Sequence, residues 1–115
     1  MFDFEKLEVY KKAKLLNREI ISLLRELKQI DSYIRDQLKR ASISIVLNIA
    51  EGSGKFTKAD KRKFYIIARG STYECVSLLE LIFDDAMINK FRFDDLYKKH
   101  EELSKMLLGL IHSQA

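Results

Sequence analysis

Residues 48–63 read NIAEGSGKFTKADKRK. The stretch stops one helix and starts the next. Before it runs the apolar segment ISIVLNIA, residues 43–50. Gly52 and Gly54 are expected to end that helix, because glycine enters the left-handed C-terminal conformation without steric cost. Thr57 and Asp60 then have the spacing of a capping box, with Asp in the usual Glu place. Five lysines and arginines fall within residues 55–63. A helix end calls for the glycines; nothing in helix termination calls for the charge.

On either side of it the apolar residues keep a helical period almost throughout. Val9, Ala13, Leu16, Ile20, Leu24 and Leu27 form the first stripe, and Asp31 or Ser32 caps the next helix. Ile34, Leu38, Ala41, Ile45 and Ile49 form the second. Phe64, Ile67, Ala68, Ser71, Cys75, Leu78 and Ile82 share a face of the third. The segment INKFRF breaks the pattern, and Asp94 and Asp95 favour a new N-terminus by opposing the helix dipole. Leu96, Leu103, Leu107, Leu110 and Ile111 make the fourth stripe. The expected helices span about 5–29, 32–51, 58–87 and 94–112. Short connections make neighbours antiparallel, so the fold class is all-α: an up-down-up-down four-helix bundle, one domain over residues 1–115.

Composition agrees. The chain has 115 residues, no proline and four glycines, which suits long helices and few tight turns. One cysteine, Cys75, excludes an internal disulfide. The opening MFDFEKLEVYKKAK alternates charge with apolar residues, unlike a secretory leader. No apolar run approaches the roughly 20 residues needed to cross a bilayer. The expectation is a cytoplasmic protein without membrane association. Net charge is +4, unevenly spread: residues 1–63 hold 15 Lys and Arg against 9 Asp and Glu, while residues 64–115 hold 6 against 8. A basic half beside an acidic half fits either a face for polyanions or head-to-tail pairing of subunits, and equally an unevenly charged solvated surface.

Two helices carry more apolar surface than one bundle face requires. On helix 3, Ile66, Tyr73, Val76, Phe83 and Met87 fall opposite the first stripe; on helix 2, Ile43, Leu47 and Ala50 do the same. Ile66, Tyr73, Val76, Phe83, Ile43 and Leu47 are therefore candidates for a homo-oligomer interface. The bland alternative is that helices 2 and 3 are the most central pair.

Catalytic chemistry is not visible. His100 falls on the apolar face of helix 4, as a hydrogen-bonded core histidine would, and His112 lies near the terminus. No pair has metal-ligand spacing, and Cys75 reads as a small buried residue. EGSG lacks the lysine and Ser/Thr of a phosphate loop. The expectation is no enzyme, no metal and no cofactor. Asn48, Glu51, Arg69, Gly70 and Ser71 read as a polar layer setting the register of helices 2 and 3. In it, Asn48 would bond across to Ser71, Glu51 would pair with Arg69, and Gly70 would admit a close backbone. Lys55, Lys58, Lys61, Arg62 and Lys63 surround the start of helix 3, where cations oppose the helix dipole, so an anionic partner is the functional reading and a solvated loop the plain one. Phe56 offers a stacking surface. Arg35, Lys39 and Arg40 would extend the patch, depending on how subunits meet.

The stretches QLKRASISIVLNIAEGSGK (37–55) and KRKFYIIARGSTYECVSLLELI (61–82) resemble the bacterial four-helix-bundle proteins encoded in 23S rRNA intervening sequences. Gln37, Leu38, Arg40, Ala41, Ser44, Ile45, Asn48, Ile49, Ala50, Glu51, Gly52, Gly54 and Lys55 match the first half of the family pattern; Phe64, Ala68, Gly70, Ser71 and Glu74 match the second. The family's Pro-Ser before the Asn is Val46-Leu47 here, which implies a straighter helix 2. The resemblance implies a ring-like pentamer. It also connects the chain to accessory proteins of diversity-generating retroelements, which bind nucleic acid through a basic surface; their reverse-transcriptase partner is legible nowhere in this sequence. The functional expectation is an oligomeric bundle binding RNA or DNA backbone, with a structural or protein-interaction ring as the rival.

Overall fold

A computed structural model describes all 115 residues. A 3₁₀ turn at Asp3–Lys6 leads into α1 (Glu8–Glu26), α2 (Ser32–Ser53), α3 (Lys58–Asp84) and α4 (Lys90–Ser113), and there is no strand. Each helix packs on its chain neighbours, α1 closes against α4, and the diagonal pairs α1/α3 and α2/α4 do not approach. That is the expected four-helix bundle, about 44 Å long and 22 Å across.

The stripes read from sequence supply most of one continuous core. Val9, Ala13, Leu16, Ile20 and Leu24 of α1 meet Leu38, Ala41, Ile45 and Ile49 of α2, Ala68, Cys75 and Ile82 of α3, and Leu96, Leu103 and Leu107 of α4. Burying each large aliphatic side chain stabilises by roughly 1.5–3 kcal/mol, so this seam dominates the fold. On α3 the buried face is turned slightly from the expected one. Tyr65, Thr72 and Leu79 are buried, whereas Ile67 is exposed and Phe64, Ser71 and Leu78 are half-buried.

Helix ends differ from expectation for local reasons. The chain before α1 is not α-helical. The Glu5 carboxylate accepts from the Phe2 amide, the Phe2 and Phe4 rings stack, and Phe4 packs edge-on against Tyr10. Leu7 is then extended, so α1 starts at Glu8. Asn89 accepts from the Arg92 amide at 2.8 Å and so caps α4, which begins at Lys90 and not near residue 94. Asp94 and Asp95 lie inside that helix and pair with Lys90 and Lys99. Asp31 and Thr57 cap α2 and α3 as expected: Asp31 accepts from Tyr33 and Ile34, and Thr57 from Asp60. The return bond from Thr57 to the Asp60 carboxylate is not made.

The glycines are the principal correction. No glycine has positive φ. α2 continues through Gly52 to Ser53, and Gly54 is right-handed at φ −83°. Gly52 is required by packing: a Cβ there would sit 2.8 Å from Cε1 of the Tyr65 ring. The left-handed residue is Ala86, at φ 57°. It ends α3 in a Schellman turn, with Met87 N–H donating to Ile82 and Ala86 N–H to Phe83. α2 is unbroken through Val46 and Leu47, the positions of the family's Pro-Ser.

Candidate nucleic-acid interface

The up-down order gathers four helix ends at one pole: the starts of α1 and α3 and the ends of α2 and α4. This juxtaposition explains part of the charge in the 48–63 stretch. Lys61 Nζ donates to the Ser53 carbonyl at 2.7 Å, and Arg62 donates to the Gln114 carbonyl at 3.1 Å. Both carbonyls belong to the C-terminal ends of neighbouring helices, where cations are favoured. The dipole cost to α3 is thus offset by α2 and α4, which adjacency in sequence alone conceals.

The other cations of the cluster have no such duty. Lys58 and Lys63 are exposed and make no hydrogen bond or ion pair. Lys55 lies over the Phe64 ring with its ammonium 4.9 Å from the centroid. Phe56 between them is fully exposed.

Of the expected extension on α2, Arg35 is otherwise engaged. Its guanidinium donates to the carbonyls of Leu24 and Leu27 and closes the end of α1. It sits at the opposite pole from Lys55. Lys39 and Arg40 are exposed, but Arg40 stands roughly 22 Å along the helix from Lys55. Within one chain these three do not join the cluster.

Ion pairing divides the molecule. All six salt bridges lie within or between α1 and α4, including Lys12–Glu102, Arg92–Glu26 and Lys99–Glu19. Residues 32–69 carry nine lysines and arginines and three acids, and none of the nine has an acidic partner.

The polar layer assembles differently from the expected one. Asn48 reaches back one turn, donating to the carbonyl and Oγ of Ser44 at 2.8 and 3.0 Å. Ser44, not Asn48, crosses to α3, its Oγ 2.9 Å from that of Ser71. Glu51 is exposed and does not meet Arg69, which faces α4, donates to the Ser104 carbonyl and to Tyr73, and lies over the Tyr73 ring. Gly70 lies on the open face of α3 with nothing within 4 Å of a Cβ, so the close approach belongs to Gly52.

The second apolar stripe is also divided. Phe83 stacks on Phe93 at 4.6 Å and Met87 packs on the core, so both are engaged within the chain. Ile43 and Val76 are half-buried. Leu47, Tyr73 and Ile66 remain open, at 60, 57 and 52 % exposure. Tyr73 and Val76 border a cleft of about 530 Å³ between α3 and α4, lined also by Arg69, Glu80, Tyr97 and His100. His100 is wholly buried. Its Nδ1 lies 2.8 Å from the Leu96 carbonyl and must donate to it, and Nε2 has no partner. Burial lowers its pKa, against the pull of the Leu96 bond and of Glu19. Burial likewise pushes the Cys75 thiol up to about 12, with Glu74 adding to the effect, so the thiolate is scarce at neutral pH. His, Cys, Asp and Glu side chains nowhere gather in threes at metal-binding distance. No helix is long and apolar enough to cross a membrane.

Residues 5–109 match the model of the 23S rRNA-intervening sequence protein family. The chain belongs to that family. A solved relative is the 1.70 Å crystal structure of a protein with unknown function from the S23 ribosomal protein family of Bacteroides thetaiotaomicron. It is 25% identical and superposes with a TM-score of 0.86, over 90% of this chain and 97% of its own. No curated protein matches. Two roles are not visible in the helical period: Phe64, placed by it on the inner face of helix 3, holds Lys55 on its ring, and Ser44 carries the α2–α3 hydrogen bond; both stand among the residues shared with the family pattern.

Proposed function

We propose that this family member is a non-enzymatic, cytoplasmic bundle that assembles with copies of itself and holds RNA or DNA by the phosphate backbone. One observation carries the reading: every ion pair is on the α1–α4 side, and at the α2–α3 junction Lys55, Lys58 and Lys63 have neither an acidic partner nor a side-chain hydrogen bond. A cation left unpaired on one face, beside others of the same sign, is repelled by them and attracts polyanions. Lys58 and Lys63 are the principal contacts, with Lys55 held in reserve over Phe64. Lys39 and Arg40 join only if a neighbouring copy brings them near. Self-assembly is supported by the open Leu47, Ile66 and Tyr73. Five copies is the number the family resemblance implies. Repetition of the patch around a ring would add weak contacts through effective concentration.

The test is a salt titration of binding to a labelled RNA, over about 50 to 300 mM, for wild type and for Lys58→Gln/Lys63→Gln. The variant should bind all sequences more weakly, with the log-log slope reduced by about 0.7–0.9 per lost phosphate contact. Light scattering on the same samples, beside Ile66→Glu, reads assembly: wild type should be multimeric and Ile66→Glu smaller, with helical content unchanged. Equal affinities and slopes would remove the nucleic-acid role and leave a protein-interaction ring as the better reading.

A further inference from the structure

We infer that Phe56 is a base-stacking platform and that the nucleic acid held at this pole is single-stranded; the inference rests on the backbone-binding reading above. Phe56 is fully exposed at the tip of the α2–α3 connection. A lone exposed aromatic is ordinary on a protein surface, but this one differs in two respects.

First, it is held on a braced loop. Gly54 N–H donates to the Glu51 carbonyl and Lys55 N–H to Gly52; Lys61 N–H donates to Thr57, and Thr57 Oγ1 accepts from Asp60. Lys61 Nζ ties the loop back to the Ser53 carbonyl. The ring is presented by a connection whose flanking backbone groups are bonded on both sides, so little ordering remains when a ligand arrives.

Second, its neighbours are cations that have no acidic partner. Lys55 and Lys58 flank it in sequence, and Lys63 lies about one and a half helical turns past Lys58. The acids of the opening turn, Asp3 and Glu5, belong to a segment that packs on α1 and α2 and not on α3. An aromatic face among cations that follow a backbone is the arrangement by which single strands are bound without sequence preference. A duplex hides its base faces, and this ring stacks on them only by prying a step apart. A single strand offers the faces freely. An anionic membrane fits less well. One phenylalanine followed by Thr57, Lys58 and Asp60 inserts little apolar area, on which interfacial binding depends.

The chain has no tryptophan, so Phe56→Trp places a single tryptophan at the site, excited selectively over the five tyrosines. The whole protein is titrated with an end-labelled 20-nucleotide single-stranded RNA (a length of the order several such sites cover) and with the same RNA as a duplex. Label anisotropy reports binding independently of the tryptophan. Tryptophan emission of Phe56→Trp should be quenched at saturation by the single strand and not by the duplex. Phe56→Ala should weaken single-strand binding about ten- to a hundredfold and leave duplex binding unchanged within about twofold. Single-strand affinity equal in Phe56→Ala and wild type overturns the inference. So does tryptophan emission that responds to anionic phospholipid vesicles and not to RNA, or that is blue-shifted before any addition and reverts on dilution. In that last case a second copy covers the ring. Binding that persists in Phe56→Ala and is lost in Lys58→Gln/Lys63→Gln would keep the backbone reading and discard the stacking one. Absence of binding to either RNA form would discard both.

Discussion

The Tyr65 ring lies across Gly52 so closely that a Cβ on Gly52 would meet its Cε1 at 2.8 Å and the Phe64 Cβ at 3.0 Å. Tyr65 is buried, so its ring has no solvent to swing into. Gly52→Ala should therefore destabilise by about 1–2 kcal/mol, overpacking outweighing the gain of about 1 kcal/mol that alanine brings inside a helix. Gly70→Ala meets nothing within 4 Å and should stabilise the single chain by about 0.4–1 kcal/mol. Urea midpoints of the two variants should move in opposite directions. A neutral Gly52→Ala would mean that Tyr65 relocates at no cost.

Ala86 holds a left-handed conformation at φ 57° to close α3. An L-residue there costs about 1–2 kcal/mol, and glycine avoids it at some cost in chain entropy. Ala86→Gly should stabilise by about 1 kcal/mol net, visible as a rise in Tm of a few degrees. A lower Tm would show that the entropy glycine adds to the unfolded chain outweighs the strain relieved at Ala86.

Lys61 and Arg62 differ from their neighbours in the cluster because they close other helices. Lys61→Gln and Arg62→Gln should each lower stability by about 1 kcal/mol, since the Ser53 and Gln114 carbonyls lose charged donors. Lys58→Gln and Lys63→Gln should leave it unchanged within about 0.5 kcal/mol. Denaturation of the four single variants checks this. Four equal midpoints would return Lys61 and Arg62 to the solvated surface.

His100 makes stability depend on pH. Burial holds its folded pKa below the ordinary value near 6.5, so the unfolded chain binds the proton more readily. Stability from this group is complete above that value and falls as pH drops from about 6.5 toward the folded pKa. Urea midpoints of wild type should decline between about pH 7 and pH 5, and His100→Leu should flatten the decline. Glu102, whose pKa is lowered by its hydrogen bond to Lys12, loses its contribution only at more acidic pH, below its ordinary range, so the two effects separate. An unchanged decline in His100→Leu would assign the acid sensitivity elsewhere.

Periodicity, the Asp31 and Thr57 caps and short connections were enough to read four antiparallel helices and most of their buried stripes, because helix period and cap chemistry are local properties of the chain. The break before α4 is legible too, but its cap is not: Asn89 competes with Asp94 and Asp95 as a start signal, and only the bond to Arg92 settles which one acts. What lay between helices was not legible. Gly52 looks like a helix stop until the Tyr65 ring is seen above it, and Gly70 looks like a point of close approach until its surroundings prove open. Arg35 reads as a free cation until α1 ends beside it, and Phe83 reads as a subunit contact until Phe93 stacks on it. The candidate site divides the same way. Sequence alone located five cations and a phenylalanine in nine residues. Only the packed bundle, by bringing the ends of α2 and α4 against the start of α3, decided that Lys61 and Arg62 bind carbonyls and that Lys58, Lys63 and Phe56 face solvent. A side chain's partners across helices depend on crossing geometry and register, which no window along one helix contains.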